Sequence, residues 1–464
     1  MVQSRVLFRT VVVAAALIVA YQIFAPPIVG LADQGDFRRM IGKFGYTAEQ
    51  PNLQTFFVAR KYVQEIKDRV PEWEQFTSEY LFVIAALGLN KVVSKDGKLD
   101  ILVIGLIHAI AFLAAFVRLL QVTRALRTRA FLWIAMLFIL TDVAYIAYLN
   151  TFFTEPASLI FFMLLVAESI DIARSGGPTR AVFVRWSLWA VLFIFAKPMN
   201  ALPGILLGVF AFRFLHSTGR LAWGGAVAIL AAAATAIATA PQEMKNANTY
   251  NLVFLSVLPE SRNPADDLRA LGLDWRLQDY SRTGAWSPDT IYPTLEASGD
   301  IGHIVTQVRV LRFYLARPTR LWRHIQAYLP IAMVSRPKYG NFETAAGDPA
   351  LSRAFALWSD FHAHVLSRAA KVILFLLLAP FIGVVATWRR HDLWMEFAAL
   401  LGLFCMTAFL TAIFGDAWDD IKHLFLFNLS FDALFVASAA WAASLAVREK
   451  KKIAVAAAAS NMET

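Results

Sequence analysis

The chain has 464 residues, of which 58% are hydrophobic and only 17% are charged, and its mean hydropathy is +0.53. This composition excludes a water-soluble enzyme, because a soluble domain of this size carries more charge and less apolar sequence. The formal net charge is +10, but the basic residues lie in short blocks between apolar runs, which argues against a nucleic-acid-binding surface. The single cysteine, Cys405, excludes an intramolecular disulfide and a cysteine-based zinc site.

Ten segments are apolar enough to cross a bilayer, which requires about 20 residues of helix. They are residues 10–28, 100–121, 130–149, 156–173, 182–197, 200–216, 221–240, 370–388, 393–414 and 424–446. The first is not followed by a small-residue cleavage pattern, so we interpret it as a retained anchor. The sequence therefore predicts an all-α polytopic membrane protein with about 10 transmembrane helices.

The short connections between these segments predict the orientation, because Lys and Arg are retained on the cytoplasmic side. With ten spans, one side receives Arg5, Arg9, Arg118, Arg124, Arg127, Arg129, Arg174, Arg180, Arg185, Arg213, Arg220, Arg389, Arg390, Arg448, Lys450, Lys451 and Lys452. Both termini are therefore predicted to be cytoplasmic. The opposite, extracytoplasmic side carries two long segments, and function is expected there.

The resulting organisation has six parts. They are an N-terminal transmembrane helix (1–28), a first extracytoplasmic loop (29–99), transmembrane helices 2–7 (100–240), an extracytoplasmic subdomain (241–369), transmembrane helices 8–10 (370–446) and a cytoplasmic tail (447–464). The first loop is predicted to contain amphipathic helices over 36–44 and 53–70 and an apolar stretch at 80–93 that is too short to span. The second long loop is turn-rich, and a helix is predicted over 303–327 with an interruption near Pro318.

Four polar clusters, distant in sequence, are placed by this topology at the same extracytoplasmic end of the bundle. The first contains Asp33 and Asp36, whose three-residue spacing would put both carboxylates on one helix face. A carboxylate at the membrane boundary can act as a base or hold a divalent ion. The alternative is that Asp33 or Asp36 caps the following helix. Asp36 is the better catalytic candidate.

The second cluster ends one span and begins the next, with Pro156 in a first helical turn. Asn150 and Glu155 offer a planar amide and a carboxylate beside phenylalanines, which suits sugar hydroxyls. Glu155 at a helix start would equally compensate the helix dipole.

The third cluster contains Lys197 and Asn200 around the helix-breaking Pro198. The positive-inside rule disfavours a lysine on this face, so phosphate binding by Lys197 competes with simple snorkelling to the interface. Asn200 is a further candidate for substrate binding.

The fourth cluster places Asp416, Asp419 and Asp420 before Lys422 and His423 at the mouth of the last span. This pattern favours a polar site, although a solvated turn with local ion pairs has similar residues. Within the spans, Asp142 and Asp432 are expected to face the bundle interior because their burial in lipid is costly. His108, alone on an apolar helix, is expected to be a satisfied core histidine.

The sequence contains no Walker loop, dinucleotide fingerprint, zinc motif or serine nucleophile elbow. Nucleotide sugars and ATP are not available outside the cytoplasmic membrane, so an enzyme on that face needs a donor that has already crossed it. A lipid-linked sugar phosphate meets this condition. Its tail would lie between spans, its phosphate beside cations at the bundle end, and its sugar against the external loops.

Six segments resemble a known family: GDF after the first span, NTFFTEPASL, AKPMNAL, YNLVFLSVLPESRNPADDLRALGLD, RPKYGNFE and KHLFLFNLSFD, which extend from about residue 31 to residue 434. With many spans and large external loops, they resemble the GT-C superfamily of integral membrane glycosyltransferases. More specifically, they resemble the bacterial surface-glycan hexose transferases called WsfD-like. The resemblance implies location in the bacterial cytoplasmic (inner) membrane with an active site facing the periplasm or exterior.

The resemblance also implies a reaction. The donor would be a polyprenyl-phosphate-linked hexose and the acceptor a surface glycan or glycolipid. Asp36 would be the catalytic base of an inverting displacement, with Asp33 as second candidate. Lys197, Lys422 and His423 would stabilise the departing phosphate, unless Arg312 or Arg336 is the phosphate ligand, and Asn150 and Glu155 would orient the sugar. A divalent cation such as Mg²⁺ or Mn²⁺ is allowed but not required.

Three other interpretations compete with hexose transfer. A flippase or transporter of lipid-linked glycans would place more ionisable groups at mid-membrane, whereas the charges here favour one end. A ligase that transfers a whole glycan has nearly the same chemistry, and the sequence does not separate it from hexose transfer. A noncatalytic scaffold would leave the intramembrane Asp142, Lys197 and Asp432 unexplained.

Overall fold

The computed structural model describes residues 2–50, 56–64, 76–343, 351–371, 379–387, 392–418 and 420–460. In chain order the helices are α1 (Val2–Phe24), α2 (Phe37–Ile41), α3 (Tyr80–Val93), α4 (Ile101–Thr123), α5 (Arg129–Leu140), α6 (Val143–Ile146), α7 (Glu155–Ser175), α8 (Arg180–Ala196), α9 (Ala201–Ala211), α10 (Leu215–Thr218), α11 (Arg220–Ala238), α12 (Gln242–Asn251), α13 (Pro264–Leu271), α14 (Tyr292–Ala297), α15 (Gln307–Leu315), α16 (Pro318–Ala332), α17 (Leu357–Phe361), α18 (Ala379–Thr387), α19 (Leu393–Gly415), α20 (Asp420–His423) and α21 (Phe425–Ser460). The strands are β1 (Tyr46–Ala48), β2 (Lys61–Gln64) and β3 (Leu99–Asp100).

Among the described residues, seven helices are long and apolar enough to cross a membrane. They are Ser4–Phe24, Ile101–Thr123, Glu155–Ser175, Pro198–Thr218, Arg220–Ala238, Leu393–Gly415 and Phe425–Ala442. A bent pair, Arg129–Leu140 with Val143–Asn150, makes an eighth if its two parts are one span; they meet at 54°. The protein is therefore a mostly helical, multi-pass membrane protein.

The other two predicted spans have different outcomes. The segment 182–197 forms α8, a helix of 17 residues, which packs against α7 and α11. Lys197, after the end of α8, contacts Glu155 at the start of α7, whereas Arg185 near the start of α8 contacts Glu168 within α7. The two helices are therefore antiparallel. Residues 372–378 and 388 of the segment 370–388 lie outside the described residues, and its described part includes α18, so the count of ten stays a prediction.

α7 is the most deeply buried of the seven spanning helices in the described part of the chain. It packs against α4, α8 and α19. Two residues at its start, Glu155 and Ser158, are almost completely buried. Polar groups at this end consequently need partners within the protein, because water does not reach them.

The first long loop differs from the all-α prediction. Strand β2 pairs antiparallel with β1 and with β3 in a three-stranded sheet. The amphipathic helix predicted over 53–70 is therefore wrong for residues 61–64, where Tyr62 and Val63 are β-formers that alternate in burial. The remainder of that prediction lies partly outside the described residues. By contrast, α2 with a 3₁₀ turn at Gly42–Phe44 matches the helix predicted over 36–44.

The apolar stretch predicted at 80–93 forms α3, a helix of 14 residues. It packs mainly on α4. Its length agrees with the prediction that it does not span.

Residues 242–315 fold around a second hydrophobic core, separate from the core of the helix bundle. Together with α16 we call them the loop subdomain. The helix predicted over 303–327 is present as α15 and α16, and the break lies at Pro318 as predicted. The last turns of α16, with Tyr328, Leu329 and Ala332, belong to the bundle core, so this helix ties the subdomain to the bundle.

The start of α4 depends on a close approach between Gly105 and Asn150. The Asn150 amide donates hydrogen bonds to the carbonyl oxygens of Ile23 (3.0 Å) and Val29 (2.9 Å), which fixes its side chain. A Cβ atom at Gly105 would lie 1.9 Å from Asn150 Oδ1. Glycine is therefore required here for packing.

We predict that Gly105→Ala lowers the free energy of unfolding by about 1–3 kcal/mol, the usual cost of overpacking a rigid site. Gly224→Ala, in the spanning helix α11, is the control, because a Cβ there meets nothing within 4 Å. Thermal unfolding in one detergent should show a lower midpoint for the first variant only. Equal midpoints for the two variants would contradict the close packing of Gly105.

Candidate functional site

Four predicted site residues form one charged cluster at the end of the bundle where α7 begins and α8 ends. Asp36, which precedes α2, accepts a hydrogen bond from Lys422 Nζ of α20. Lys197 Nζ donates to Glu155 Oε1 over 2.7 Å. We call Asp36, Glu155, Lys197 and Lys422 the rim cluster. Residues separated by up to 386 positions in the sequence meet here.

The rim cluster contains two anionic and two cationic side chains with unequal access to solvent. The side chains of Glu155 and Lys422 are 1% and 4% exposed, whereas Asp36 is 24% exposed. Arg39 Nη2 lies 3.2 Å from Asp36 Oδ1 and adds a further positive charge on the open side. The cluster therefore has a buried wall and one accessible carboxylate.

Positive neighbours decide the ionisation of Asp36. Burial alone would raise its pKa, but the charges of Lys422 and Arg39 and the hydrogen bond from Lys422 outweigh burial, and the pKa is lowered. Lys197 acts in the same direction. Asp36 is consequently a carboxylate at neutral pH.

The aromatic surroundings restrict Lys422. Its Nζ lies 4.1 Å from the centre of the Phe153 ring, a cation–π contact. Phe153 in turn packs edge-to-face on Phe37, with 4.7 Å between the ring centres. The apolar wall thus holds the ammonium group against Asp36.

One of the two carboxylate oxygens of Glu155 is not used by the described residues. Its Oε1 pairs with Lys197, but Oε2 is buried and has no hydrogen-bond partner among the described residues. Glu155 also begins α7, so compensation of the helix dipole contributes to its position. A buried carboxylate oxygen without a donor is an acceptor for a ligand hydroxyl.

Asp33 behaves as a cap. Its Oδ1 accepts hydrogen bonds from the backbone N–H groups of Gly35 (2.7 Å) and Phe37 (3.1 Å), whereas Asp36 makes no side-chain cap bond. Both aspartates precede α2, so the predicted shared helix face does not form. Burial raises the pKa of Asp33 to about 6, although the two backbone N–H groups oppose this shift.

Asn150, predicted to bind sugar, and Asn200, predicted to bind substrate, use their amide donors within the protein. Asn150 holds Ile23 and Val29, as described above, and is completely buried. Asn200 donates to Ser158 Oγ (3.0 Å) and to the Phe193 carbonyl (2.8 Å), and only 1% of it is exposed. Their amide donors are used within the fold, so the structure gives them a packing role.

His423 lies beside the rim cluster but contacts a different set of residues. Its Nε2 is 3.0 Å from Asp416 Oδ2, and its Nδ1 is 3.1 Å from Met199 Sδ. Asn251 of the loop subdomain donates to Asp416 Oδ1 over 2.9 Å. Although burial opposes it, the hydrogen bond and charge of His423 lower the pKa of Asp416. Asp416 therefore joins the subdomain to the rim. Asp419 lies outside the described residues.

The segment 77–79, which no pattern in the sequence marks, holds the two helix ends of the rim cluster. Thr77 Oγ1 donates to the Ala196 carbonyl (2.8 Å), and Ser78 Oγ donates to the Leu192 carbonyl (2.8 Å), so both bind the end of α8. Glu79 Oε2 accepts from the backbone N–H of Ala157 (3.1 Å) in the first turn of α7. We call residues 77–79 the helix clamp.

Glu79 is fully buried and is supported by a histidine. Its Oε1 lies 2.7 Å from His108 Nε2, and His108 Nδ1 donates to the Leu149 carbonyl over 2.8 Å. His108 is thus a satisfied core histidine, as predicted, but its partner is a carboxylate. An acidic residue before an apolar helix looks like an ordinary cap, so the sequence carried no signal for this pair.

A second segment anchors the backbone that leads to Asp36. Gly30 N donates to the Asn341 carbonyl (3.0 Å), and Ala32 N donates to the Gly340 carbonyl (2.9 Å). Arg336, one of the two arginines predicted as alternative phosphate ligands, donates to Asn341 Oδ1 and to the Ser352 carbonyl. Its role is to hold this anchor. Arg312 is exposed on α15.

Asp142 and Asp432 face the interior, as predicted, and organise residues 356–362. Asp142 Oδ2 accepts from the backbone N–H groups of Trp358 (2.9 Å) and Ser359 (3.0 Å). Asp432 accepts from the Tyr145 hydroxyl (2.6 Å) and lies 2.9 Å from His362 Nε2. Their desolvation is compensated by these donors, so they need no ligand.

The described side chains of the site are a poor set of ligands for a divalent cation. Among the described residues there is no group of three or more His, Cys, Asp or Glu side chains that could hold a metal. Asp36 is engaged by Lys422 and Arg39, and Asp33 by backbone N–H groups. Because cations already contact Asp36, Mg²⁺ or Mn²⁺ would have to displace them.

The fold and the rim cluster define a multi-pass membrane protein with a charged site at one end of its bundle. A family model described as the YfdI N-terminal transmembrane domain matches residues 3–459. The chain therefore belongs to this family, which is a GT-C-like membrane glycosyltransferase family. The resemblance is confirmed at that level, whereas the narrower WsfD-like specificity stays a prediction. No curated protein and no solved structure matches the chain.

We predict opposite pH behaviour for substitutions at the two aspartates. The pKa of Asp33 is raised from 3.8 to about 6, so its stabilising contribution is complete below pH 3.8 and is lost as pH rises through about 6. Asp33→Asn retains the cap acceptor and does not ionise. Its stability relative to wild type should therefore increase by about 1–2 kcal/mol between pH 5 and pH 8.

Asp36→Asn is the matched control for this measurement. Because the pKa of Asp36 is lowered, its contribution is present above the unfolded value of 3.8 and is lost only as pH falls below it. Thermal unfolding from pH 5 to pH 8 should show a constant difference for Asp36→Asn. A constant difference for Asp33→Asn as well would contradict the buried, raised-pKa carboxyl.

Proposed function

We propose that the protein transfers a hexose from a polyprenyl-phosphate-linked donor to a surface glycan or glycolipid acceptor on the extracytoplasmic face of the bacterial cytoplasmic membrane. The observation that carries this proposal is the contact between Asp36 and Lys422 next to the Glu155–Lys197 pair. It brings a carboxylate base and cations for a phosphate to one end of the bundle. The family membership supports the same reaction class.

Asp36 is the proposed general base. It is the most exposed carboxylate of the rim cluster, and its lowered pKa keeps it ionised at neutral pH. A base must reach the proton that it removes and must be unprotonated beforehand. Asp33 is a poorer candidate than Asp36 on both requirements, because it is buried and its oxygen binds backbone N–H groups.

Lys197, Lys422 and Arg39 are the proposed phosphate ligands. Lys422 comes from the buried wall, Lys197 is partly exposed beside it, and Arg39 comes from the open side. Such cations stabilise the charge that develops on the departing phosphate. His423 already contacts Asp416 and Met199, so we rank it below these three residues as a phosphate ligand.

In the proposed step, Asp36 takes the proton of an acceptor hydroxyl, and the hydroxyl oxygen forms a bond to the anomeric carbon of the hexose. The bond between that carbon and the phosphate oxygen breaks, and its electron pair leaves with polyprenyl phosphate. A single displacement inverts the anomeric centre. Glu155 Oε2 accepts a hydrogen bond from a donor-sugar hydroxyl, which satisfies this buried atom.

We predict that Asp36→Asn reduces hexose transfer by at least about two orders of magnitude, the range expected for removal of a general base. Full-length protein in nanodiscs would be supplied with a panel of polyprenyl-phosphate sugars, and release of polyprenyl phosphate would be followed. Asp33→Asn, an identical change three residues away, should retain most of the activity. Donor binding should survive both changes.

Two outcomes would assign a different function to the protein. Wild-type protein that releases no polyprenyl phosphate but moves lipid-linked glycan across a liposome membrane would establish a flippase. Turnover only with a lipid-linked oligosaccharide, and none with single hexoses, would establish a glycan ligase. Equal activity of Asp36→Asn and wild type would refute the assignment of Asp36 as the general base.

A second prediction concerns the coupling of Lys422 to Asp36. Lys422→Met removes the charge that most strongly lowers the pKa of Asp36 while burial still raises it. The acid limb of the kcat/KM profile should therefore move to higher pH, and kcat should fall. Lys91→Met, an exposed lysine at the end of α3, is the control. An unmoved acid limb would show that Lys422 does not set the ionisation of the base.

A further inference from the structure

The loop subdomain contains a cleft of about 410 Å³ whose walls are formed by residues 260–267 and 317–323. Four arginines line it: Arg262 on one wall and Arg317, Arg320 and Arg323 on the other. The lining contains no aromatic residue. The guanidinium groups of the lining therefore favour an anionic ligand.

The acidic residues of the cleft are already engaged. Glu260 Oε1 lies 2.7 Å from Nδ1 of the buried His324. Asp266 pairs with Arg269 Nη1 at 2.8 Å, outside the lining. Asp267 binds the Arg320 guanidinium. The carboxylates are therefore committed to groups within the subdomain.

The other three arginines of the cleft have no carboxylate partner like that of Arg320 among the described residues. Arg262 and Arg323 are exposed, and Arg317 stacks on the Phe313 ring with 4.0 Å between the guanidinium and the ring centre. Within the described part of the chain, none of the three forms a salt bridge. Their planar guanidinium groups suit phosphate or carboxylate, which they can bind through two hydrogen bonds at once.

The subdomain that contains the cleft is attached to the end of α19, next to the rim cluster. His324, behind Glu260, has its Nε2 3.2 Å from the Ile413 carbonyl in the last turn of α19. Gln307 Nε2 donates to the Gly415 carbonyl over 2.8 Å. The next residue, Asp416, binds His423 beside the rim cluster. The cleft and the rim cluster thus belong to the same end of the bundle.

We propose that this cleft binds a phosphate or carboxylate group carried by the acceptor glycan. This inference rests on the proposed transferase function and specifies its acceptor as an anionic saccharide. The arginines hold the charged substituent on the loop subdomain while a neighbouring hydroxyl reaches Asp36. A neutral acceptor lacks this contact and binds more weakly.

The test uses full-length protein in phosphatidylcholine nanodiscs, with glucose 6-phosphate as the probe and glucose as its uncharged counterpart. Binding would be measured by ligand-observed NMR. Glucose 6-phosphate should bind wild type at least about tenfold more tightly than glucose, and this preference should disappear in Arg262→Gln/Arg323→Gln, since charge-assisted hydrogen bonds are lost. Arg276→Gln, an exposed arginine of the same subdomain outside the cleft, should keep it.

Equal binding of the two probes to wild type, or an unchanged preference in the double variant, would overturn the proposal. So would copurification of phosphatidylglycerol with wild type but not with the double variant, because the anion would then be a lipid headgroup. Thermal unfolding of each variant controls for misfolding.

Release of polyprenyl phosphate with a neutral acceptor separates this inference from the proposed function. The double variant should retain that reaction and should show a raised KM only for an anionic acceptor. Absence of turnover by wild type, with the probe preference intact, would refute the transferase alone. Turnover by wild type, without preferential binding of glucose 6-phosphate over glucose, would refute only the anion-binding role of the cleft.

Discussion

The constraint on which this structure depends is that charges at the end of an apolar helix bundle must neutralise one another. Glu155 is almost completely buried at the start of α7, and Lys197, after the end of α8, is its one hydrogen-bonding cation in the described part of the chain. A single buried charge would be strongly destabilising, whereas a paired one is tolerated. The register of α7 against α8 is therefore coupled to the charge balance of the site. Asp36 in the first long loop and Lys422 on α20, just before the last spanning helix, repeat the same arrangement.

Backbone contacts, more than side-chain packing, fix the positions of these charges. The helix clamp binds carbonyl groups at the end of α8 through Thr77 and Ser78 and an N–H group at the start of α7 through Glu79. The Ala196 carbonyl and the Ala157 N–H are among the groups that a helix end leaves without intrahelical partners. One three-residue segment thereby contacts both of the helices that carry Glu155 and Lys197. Preorganisation of this kind is what a site for charge stabilisation requires.

The sequence predicted the rim cluster but not its partners. Alternating spans place residues 36, 155, 197 and 422 at one end of the bundle, so hydropathy and basic-residue counts suffice to bring them together. Asn150 and Asn200 met the same criterion, yet their amides bind carbonyl groups of Ile23, Val29 and Phe193, which no local pattern reveals. Glu79 was missed for the converse reason, because it looks like a cap and its partner His108 lies 29 residues away. Strand β2 was mistaken for helix because its sheet partners are also nonlocal.

The contact that keeps Asp36 ionised also makes it a weak base, since a lowered pKa reduces the affinity of a carboxylate for a proton. Under the proposed function this conflict has a specific resolution. A donor phosphate at the rim cluster shares the charge of Lys422, so the electrostatic stabilisation of the Asp36 carboxylate weakens and its pKa rises toward the range of an effective base. Activation of the base is then coupled to occupancy by the donor. An acceptor hydroxyl that reaches Asp36 before the donor meets a poor base, and proton removal begins only when the phosphate leaving group is in place.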